Sequence, residues 1–187
     1  MILPIVAYGT PVLKQKAAPI DPEYPDLKEI VANMYETMYA ANGVGLAAPQ
    51  VGLSIRLFIV DATPFDDDEP QLKGYKKTFI NAEILEERDE PWSFNEGCLS
   101  IPGIREDVQR KKTIRMRYRN ESFEQVEEEF TGILARIIQH EYDHIEGTLF
   151  TDRISPLKKT LLRSKLNNIS RGQVKVDYRM KFPMLRK

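Results

Sequence analysis

The sequence is poor in the residues that define several protein classes. Its 187 residues include one cysteine, Cys98, two histidines and one tryptophan. A single cysteine forms no disulfide within the chain, which excludes the disulfide frameworks of small secreted domains. No stretch approaches the roughly 20 consecutive apolar residues of a membrane span. The start, M-I-L-P-I-V-A-Y-G, lacks the basic segment and cleavage site of a signal peptide. We therefore expect a cytoplasmic protein.

Acidic and basic residues are balanced in number but not in position. Residues 153–187 carry 11 lysines and arginines against one acid, Asp177, whereas residues 1–152 carry 16 against 27 acids. The basic region is either a solvated helix or a contact surface for phosphate-rich material such as ribosomal RNA.

Apolar residues at helical spacing, together with capping and stop residues, predict three helices, at 24–41, 131–146 and 156–171. Asn42-Gly43 ends the first helix. Thr131 is the expected N-cap of the second and Gly147 its stop. Ser155 before Pro156 is the expected start of the third.

Strand patterns are predicted at 55–60, 112–119 and 122–130. The last two are expected to pair across Asn120, because one is basic and the other acidic. Residues 63–77 predict an exposed loop, and the segment 174–178 either adds an edge strand or lies loose. This order of elements favours an α+β fold, and the length favours one domain.

The two histidines of the chain, His140 and His144, lie together in the segment Q-H-E-Y-D-H. The spacing H-E-x-x-H places two imidazoles one helical turn apart, on the face that also carries Ile133 and Ile137. A lone histidine there would be interpreted as a core residue. Two at this spacing, with Glu141 between them, predict a metal site.

A catalytic metal usually takes three protein ligands and one water, so a third ligand is needed. No other histidine exists, Phe150 stands where metzincins have their third histidine, and residues 153–187 contain no glutamate. Cys98 remains as the natural third ligand, because a thiolate binds borderline-soft divalent metals well. Its alternative interpretation is a small buried hydrophobe, which the polar, turn-prone segment 96–100 disfavours.

Three such ligands leave one position open for a water whose pKa falls to roughly 7. Glu141 is placed to take that water's proton and pass it to a leaving group, which hydrolyses an amide-like bond. Three other functions use the same residues. They are a thiol hydrolase with Cys98 as nucleophile, a structural metal module and a general metalloprotease. The first two leave Glu141 without a role, and the common forms of the third require another histidine or glutamate.

Three short segments occur in the order G-V-G-L-A-A-P-Q (43–50), E-G-C-L-S (96–100) and Q-H-E-Y-D-H (139–144). Each alone is a weak or moderate signal, but together they resemble the signature motifs of peptide deformylases, in particular the bacterial type with a helical C-terminus. The likeness extends to Y-G-T-P-V-L near the start and to I-E-G-T-L-F-T-D-R after the histidines. It fades at 63–77 and beyond about residue 172.

This resemblance implies removal of the N-formyl group from the initiator methionine of newly made polypeptides, with release of formate. It implies antiparallel strands packed around a central H-E-x-x-H helix, plus a C-terminal helix, in one catalytic domain over 1–187. It also implies one divalent metal, most commonly Fe(II) in the cell, with zinc, nickel or cobalt as alternatives. The implied partner is an N-formyl-methionyl nascent polypeptide. The basic region at about 153–187 is a candidate ribosome contact, and we expect neither DNA nor a membrane as a partner.

The resemblance also implies the roles of individual residues. The implied metal ligands are Cys98, His140 and His144. The implied acid and base is Glu141, and the formyl oxygen is polarised by Gln50 and the backbone N–H of Leu99. Residues expected to contact the substrate are Gly43, Val44, Gly45, Phe94, Gly97, Ile133 and Ile137. Gly43 and Gly45 are expected to let the backbone approach a peptide, and the alternative is a plain glycine turn. The apolar residues of the set are expected to form a methionine pocket, and the alternative is ordinary core. Glu96 is expected to pair with Arg110.

Overall fold

The computed structural model describes residues 1–184, and residues 185–187 of the predicted basic tail lie outside the described residues. The described part forms an α+β fold. Its helices are α1 (Leu27–Ala40), α2 (Gly132–Ile145) and α3 (Pro156–Ser170). Its strands are β1 (Ile5–Val6), β2 (Gly45–Ala47), β3 (Leu57–Asp61), β4 (Lys76–Cys98), β5 (Ile101–Arg119), β6 (Gln125–Thr131) and β7 (Met180–Lys181).

Strands β2 to β6 form one antiparallel sheet in sequence order, and β1 pairs in parallel with β7. The predicted pairing of a basic with an acidic strand is confirmed, because Arg115 faces Glu129 and Arg117 faces Glu127 across β5 and β6. Strands β4 and β5 form a long hairpin whose register shifts at four places. Such bulges bend a sheet, and this hairpin ends in the tight turn Leu99-Ser100.

Helix α2 packs against the sheet in the largest core cluster, where Ile138 and Ile145 meet Phe58 and Phe79. Ten of its 14 residues are buried. Its predicted bounds are confirmed to within a residue, with Thr131 at the N-cap position and Gly147 in a left-handed conformation at φ 73° just after its end. The predicted arrangement of antiparallel strands around this helix is therefore confirmed.

The other two predicted helices are also present, but α1 begins at Leu27, three residues after its predicted start, because Asp26 before it has a left-handed conformation. Helix α1 buries Met34 and Met38 in a second apolar cluster with β2 and β3. Helix α3 begins after Ser155, whose hydroxyl accepts a hydrogen bond from the Lys158 backbone N–H at 3.3 Å. It buries leucines and an isoleucine in a third cluster that also contains the start of β5. No helix within residues 1–184 combines the length and apolar character that crossing a bilayer requires.

One local prediction was wrong, and a second had left two alternatives open, of which the structure excludes the edge strand. The segment 63–77 is not a wholly exposed loop: it contains two short 3-10 turns, Leu72 is buried in the main core cluster, and β4 already begins at Lys76. The segment 174–178 forms no strand. The short edge strand is β7, which begins two residues later at Met180, where the chain reaches Ile5 of β1.

Candidate active site

The hairpin turn and helix α2 bring the three predicted metal ligands together. Cys98 is the last residue of β4, while His140 and His144 lie one turn apart on α2. Their ligand atoms all lie within 4.8 Å of one another. The Cys98 Sγ is 3.4 Å from His144 Nε2. His140 and His144 follow Cys98 by 42 and 46 positions in the sequence, yet the three form one cluster, as the motifs predict.

A buried carboxylate orients the first histidine. Glu96 Oε2 is 3.0 Å from His140 Nδ1, which leaves the other ring nitrogen for the cluster. Arg110 donates to both Glu96 oxygens, at 2.6 and 2.9 Å, so the predicted Glu96–Arg110 pair is confirmed. Burial alone would raise the pKa of Glu96, but the hydrogen bonds from Arg110 and His140 outweigh it and hold that pKa well below its usual value. Glu96 is therefore negatively charged at neutral pH.

The network continues through charged residues that the sequence analysis did not identify. Arg110 also donates to Asp143 Oδ2 at 2.7 Å, and Arg153 donates to both Asp143 oxygens. Arg136 donates to Glu96 Oε1 at 2.8 Å. Two of these residues carry a local signal: Asp143 lies inside Q-H-E-Y-D-H, and Arg136 precedes the first histidine by four residues, on the same helix face.

The protonation state of His144 fits the role of a metal ligand. Burial, with His140 nearby, holds the pKa of His144 well below its usual value, so its imidazole is neutral, the form that binds metals. Burial also lowers the pKa of His140, but Cys98 and Glu96 outweigh that effect and raise it. Because such ligands bind metals as thiolate and neutral imidazole, a metal held here would displace the proton on His140.

Glu141 lies beside the ligands and is almost completely buried, with 4% of its surface exposed. Burial is the main cause that raises its pKa to about 7, while the neighbouring His140 lowers it. Its Oε2 atom is buried and has no hydrogen-bond partner within the described residues. A carboxylate with this pKa both accepts and returns a proton near neutral pH.

Gln50 and the turn Leu99-Ser100 form the other side of the cluster. The backbone N–H of Ala47 donates to Gln50 Oε1 at 2.9 Å, so the amide nitrogen of Gln50 is the end that faces the turn. That nitrogen is 3.5 Å from Cys98 Sγ and 3.4 Å from Ser100 Oγ. Within residues 1–184 no acceptor is found for the Leu99 backbone N–H. The Gln50 amide nitrogen thus lies beside Cys98, and the next residue of the chain, Leu99, has a backbone N–H without an acceptor in residues 1–184.

A cleft of about 600 Å³ opens over this region. It is lined by every site residue predicted from the sequence except His144, which lies buried behind the others. The predicted residues in its wall are Gly43, Val44, Gly45, Gln50, Phe94, Gly97, Cys98, Leu99, Ile133, Ile137, His140 and Glu141. Arg105 and the segment 175–178 also line it, and neither was predicted to be part of the site.

The apolar lining residues serve the cleft and the core together. Ile133 and Ile137 belong to the main core cluster, and Val44 and Phe94 pack against it. The two interpretations weighed for them, methionine pocket and ordinary core, are therefore compatible. An unbranched apolar side chain entering the cleft would meet this surface.

The glycines of the cleft have a reason that the sequence did not reveal. A Cβ on Gly45 would overlap the Glu141 carboxylate and lie 2.7 Å from its carboxyl carbon. A Cβ on Gly43 would lie 2.8 Å from Leu99 Cδ1, and one on Gly97 would lie 2.8 Å from a guanidinium nitrogen of Arg105. The glycines make room for side chains of the chain itself, and at Gly45 that side chain is Glu141.

The donor set fits a divalent metal. One thiolate and two imidazoles suit borderline-soft ions such as zinc and Fe(II). Three protein ligands are what catalytic sites use when a fourth position is kept for water or substrate. The carboxylate on His140 is the support that metal-binding histidines usually have. Fold and site together define the class: a metal-dependent hydrolase built on an H-E-x-x-H helix.

Comparison with known proteins gives the family. The family profile described as "Polypeptide deformylase" matches residues 2–160. The peptide deformylase of Flavobacterium johnsoniae is 60% identical over 194 aligned positions, which cover 100% of this chain and 99% of that protein. That of Cytophaga hutchinsonii is 53% identical and covers 98% of this chain and 99% of its own length.

Solved structures of similar proteins indicate the same family. The crystal structure of a peptide deformylase from Legionella pneumophila superposes with a TM-score of 0.80 at 35% identity, covering 92% of this chain and 98% of its own. The crystal structure of the peptide deformylase from Thermotoga maritima has a TM-score of 0.75 at 43% identity, and the match covers 83% of this chain and 99% of that chain. The chain belongs to the peptide deformylase family. Its activity is the metal-dependent removal of the N-formyl group from newly made polypeptides.

Proposed function

We propose that Cys98, His140 and His144 hold one divalent metal, and that Glu141 is the acid and base of deformylation. The observation that carries this proposal is the convergence of the three ligand atoms within 4.8 Å, with Cys98, His140 and Glu141 in the wall of the cleft. A divalent metal held by these residues would polarise the formyl group and would lower the pKa of the attacking water to roughly 7.

Glu141 moves the proton in this reaction. Its carboxylate takes a proton from the attacking water as the water oxygen bonds to the formyl carbon. It then delivers that proton to the amine nitrogen as the C–N bond breaks, which yields formate and a free amine. A pKa of about 7 makes both transfers accessible near neutral pH.

Gln50 and Leu99 stabilise the charge that develops on the formyl oxygen. The amide nitrogen of Gln50 is held toward Cys98 by the bond from Ala47 to its oxygen. The N–H of Leu99, without an acceptor in the described chain, is the second donor. Loss of one such donor typically costs about 10²–10³ in rate.

The cleft binds the formyl-methionyl end of the substrate. We assign the methionine side chain to the apolar surface of Val44, Phe94, Ile133 and Ile137. The edge of β2 that does not pair with β3 begins at Gly45, and we assign main-chain hydrogen bonds with the peptide to this edge and to the neighbouring Gly43. Gly97, which precedes Cys98 in β4, also lines the cleft.

The test is formate release from a formyl-Met tripeptide under anaerobic conditions. Glu141→Gln keeps the shape of the side chain but removes the base, so kcat should fall by about 10²–10⁴-fold with the metal content unchanged. Glu146→Gln is the matched control, since Glu146 pairs with Arg56 and Lys16 outside the cleft wall. Equal activity in the two variants would contradict the role of Glu141.

The same assay separates the alternative functions. A thiol hydrolase with Cys98 as nucleophile would keep its activity after chelation, whereas the proposed site loses it and regains it on metal addition. A general metalloprotease would cleave an internal peptide bond as readily as the formyl bond. A structural metal module would show no turnover with either substrate.

We propose Fe(II) as the metal in the cell. A ligand set of one thiolate and two imidazoles accepts iron, zinc, nickel and cobalt, and iron with a thiolate ligand is sensitive to oxygen. The test is metal analysis of protein purified without air, followed by controlled exposure. Iron content with rapid loss of activity in air is expected, and a fully active zinc protein from the same preparation would contradict the proposal.

We also propose that residues 1–187 form one catalytic domain that works in the cytoplasm. We further propose that its basic C-terminal region contacts the ribosome. Arg163, Lys165 and Arg171 on and after α3 are exposed and form no ion pair within residues 1–184. Reversing these three charges to glutamate should weaken co-sedimentation with ribosomes at low salt and leave activity on tripeptides intact. Deleting α3 is a poorer test, because it removes the buried Leu162 and Leu166. Unchanged co-sedimentation of the charge-reversed protein would contradict the proposed contact.

A further inference from the structure

The segment after α3 returns to the active site. Its first part is tied to the helix by a hydrogen bond from the Gln173 N–H to the Asn168 carbonyl at 2.8 Å. Its far end is tied by β7, where the N–H groups of Ile5 and Ala7 donate to the carbonyls of Arg179 and Lys181, both at 2.9 Å. Between these anchors, residues 175–178 line the catalytic cleft.

Tyr178 makes the direct connection. Its hydroxyl donates a hydrogen bond to the backbone carbonyl of Leu99 at 2.7 Å, across 79 positions of sequence. Its half-buried ring packs in the same apolar cluster as the side chain of Leu99. No second donor to the Leu99 carbonyl is found within residues 1–184. The C-terminal segment therefore holds one face of the turn that carries the proposed formyl-oxygen donor.

The next residue of that turn is held as well. The Ser100 carbonyl accepts from the Tyr8 backbone N–H at 2.9 Å. The Ser100 hydroxyl is 3.4 Å from the Gln50 amide nitrogen. Tyr8 follows β1 and Tyr178 precedes β7, and these two strands pair with each other. The two ends of the described chain thus join in a small sheet that supports the Leu99-Ser100 turn from outside.

We propose that Tyr178 is a positioning residue for deformylation: by binding the Leu99 carbonyl, it fixes the turn whose Leu99 N–H faces the formyl oxygen. This inference rests on the role proposed above for the Leu99 N–H. Tyr178 does not touch the reacting atoms. Its contribution is the orientation of a donor, and small displacements of such a donor are felt mainly in the transition state.

Tyr178→Phe removes the hydroxyl and keeps the ring. Loss of one neutral hydrogen bond corresponds to a fall of about twofold to tenfold in kcat, with KM, bound metal and thermal midpoint close to those of the parent chain. Tyr39→Phe is the matched control. It also loses one tyrosine hydroxyl bond, to Asp61 at 2.6 Å, but Tyr39 lies on α1 outside the cleft wall. The control should keep the parent kcat.

Amide hydrogen exchange supplies a readout independent of activity. In Tyr178→Phe the peptide containing the Leu99-Ser100 turn should exchange faster, while peptides from α2 should not change. Unchanged kcat with unchanged exchange at the turn would overturn the inference. So would a fall in kcat that follows loss of metal or of thermal stability. If the parent chain released no formate with any metal, the proposed function would be wrong. The exchange measurement would then still decide whether Tyr178 holds the turn.

Discussion

Gly45 provides a sharp prediction, because its missing side chain leaves the space that the Glu141 carboxylate occupies. A Cβ at this position would lie 2.7 Å from the Glu141 carboxyl carbon and 2.8 Å from its Cγ. Ordinary contact between carbon atoms is about 3.5–4.0 Å. In Gly45→Ala the carboxylate must therefore move by about 1 Å. A misplacement of that size costs a catalytic group on the order of 10² in rate.

The same substitution should be mild for folding. Gly45 does not have a positive φ, and alanine lowers the entropy of the unfolded chain, a gain of about 0.4–1 kcal/mol that partly offsets the local crowding. We expect kcat/KM for a formyl-Met tripeptide to fall about 100-fold while the thermal midpoint changes by only a few degrees. Gly43→Ala is the comparison variant, because its Cβ would meet the end of the flexible Leu99 side chain and not Glu141. The fall in kcat/KM should therefore be smaller than in Gly45→Ala. Parent activity in folded, metal-loaded Gly45→Ala would refute the reasoning.

Two further predictions concern stability. Arg110→Met leaves Glu96 buried without its main partner, so the free energy of unfolding in denaturant titrations should fall by about 3–5 kcal/mol; a loss below 1 kcal/mol would contradict the importance of the pair. Asp152 binds Lys14, Lys159 and the Leu149 N–H, and although burial opposes them, these contacts lower its pKa. A lowered folded-state pKa gives stability that is present above the unfolded value of about 3.9 and is lost as pH falls through the folded value. Asp152→Asn should therefore be destabilised at pH 7 and approach the parent chain below pH 4, and a pH-independent difference would contradict this assignment.

The parts of the structure that the sequence predicted are those with a strong local signal. Helix α2 has periodic apolar residues, a capping position and a stop glycine within 17 residues, so its bounds and its inward face follow from the sequence. The convergence of Cys98 with the two histidines follows from the count of candidate ligands and from the motifs. The pairing of β5 with β6 follows from opposite charges on adjacent segments.

The parts that it did not predict depend on distant contacts. Strand β4 is charged and exposed over its middle, from Glu86 to Glu90, so neither alternation nor apolar content marks it as a strand. The need for glycine at position 45 comes from a carboxylate 96 positions away. The bond from Tyr178 to Leu99 joins the segment 174–178, whose sequence predicts no contact with the site, to a motif in mid-chain. Such features arise from tertiary packing, which a local pattern does not contain.

X-ray absorption of the zinc-loaded protein tests most directly the claim that one thiolate and two imidazoles hold the metal. The account predicts one sulfur at about 2.3 Å and two imidazole nitrogens at about 2.0–2.1 Å. It also predicts loss of the sulfur contribution in Cys98→Ser, with the two nitrogens retained. A metal shell without sulfur in the parent protein, or an identical spectrum in the Cys98→Ser variant, would contradict it.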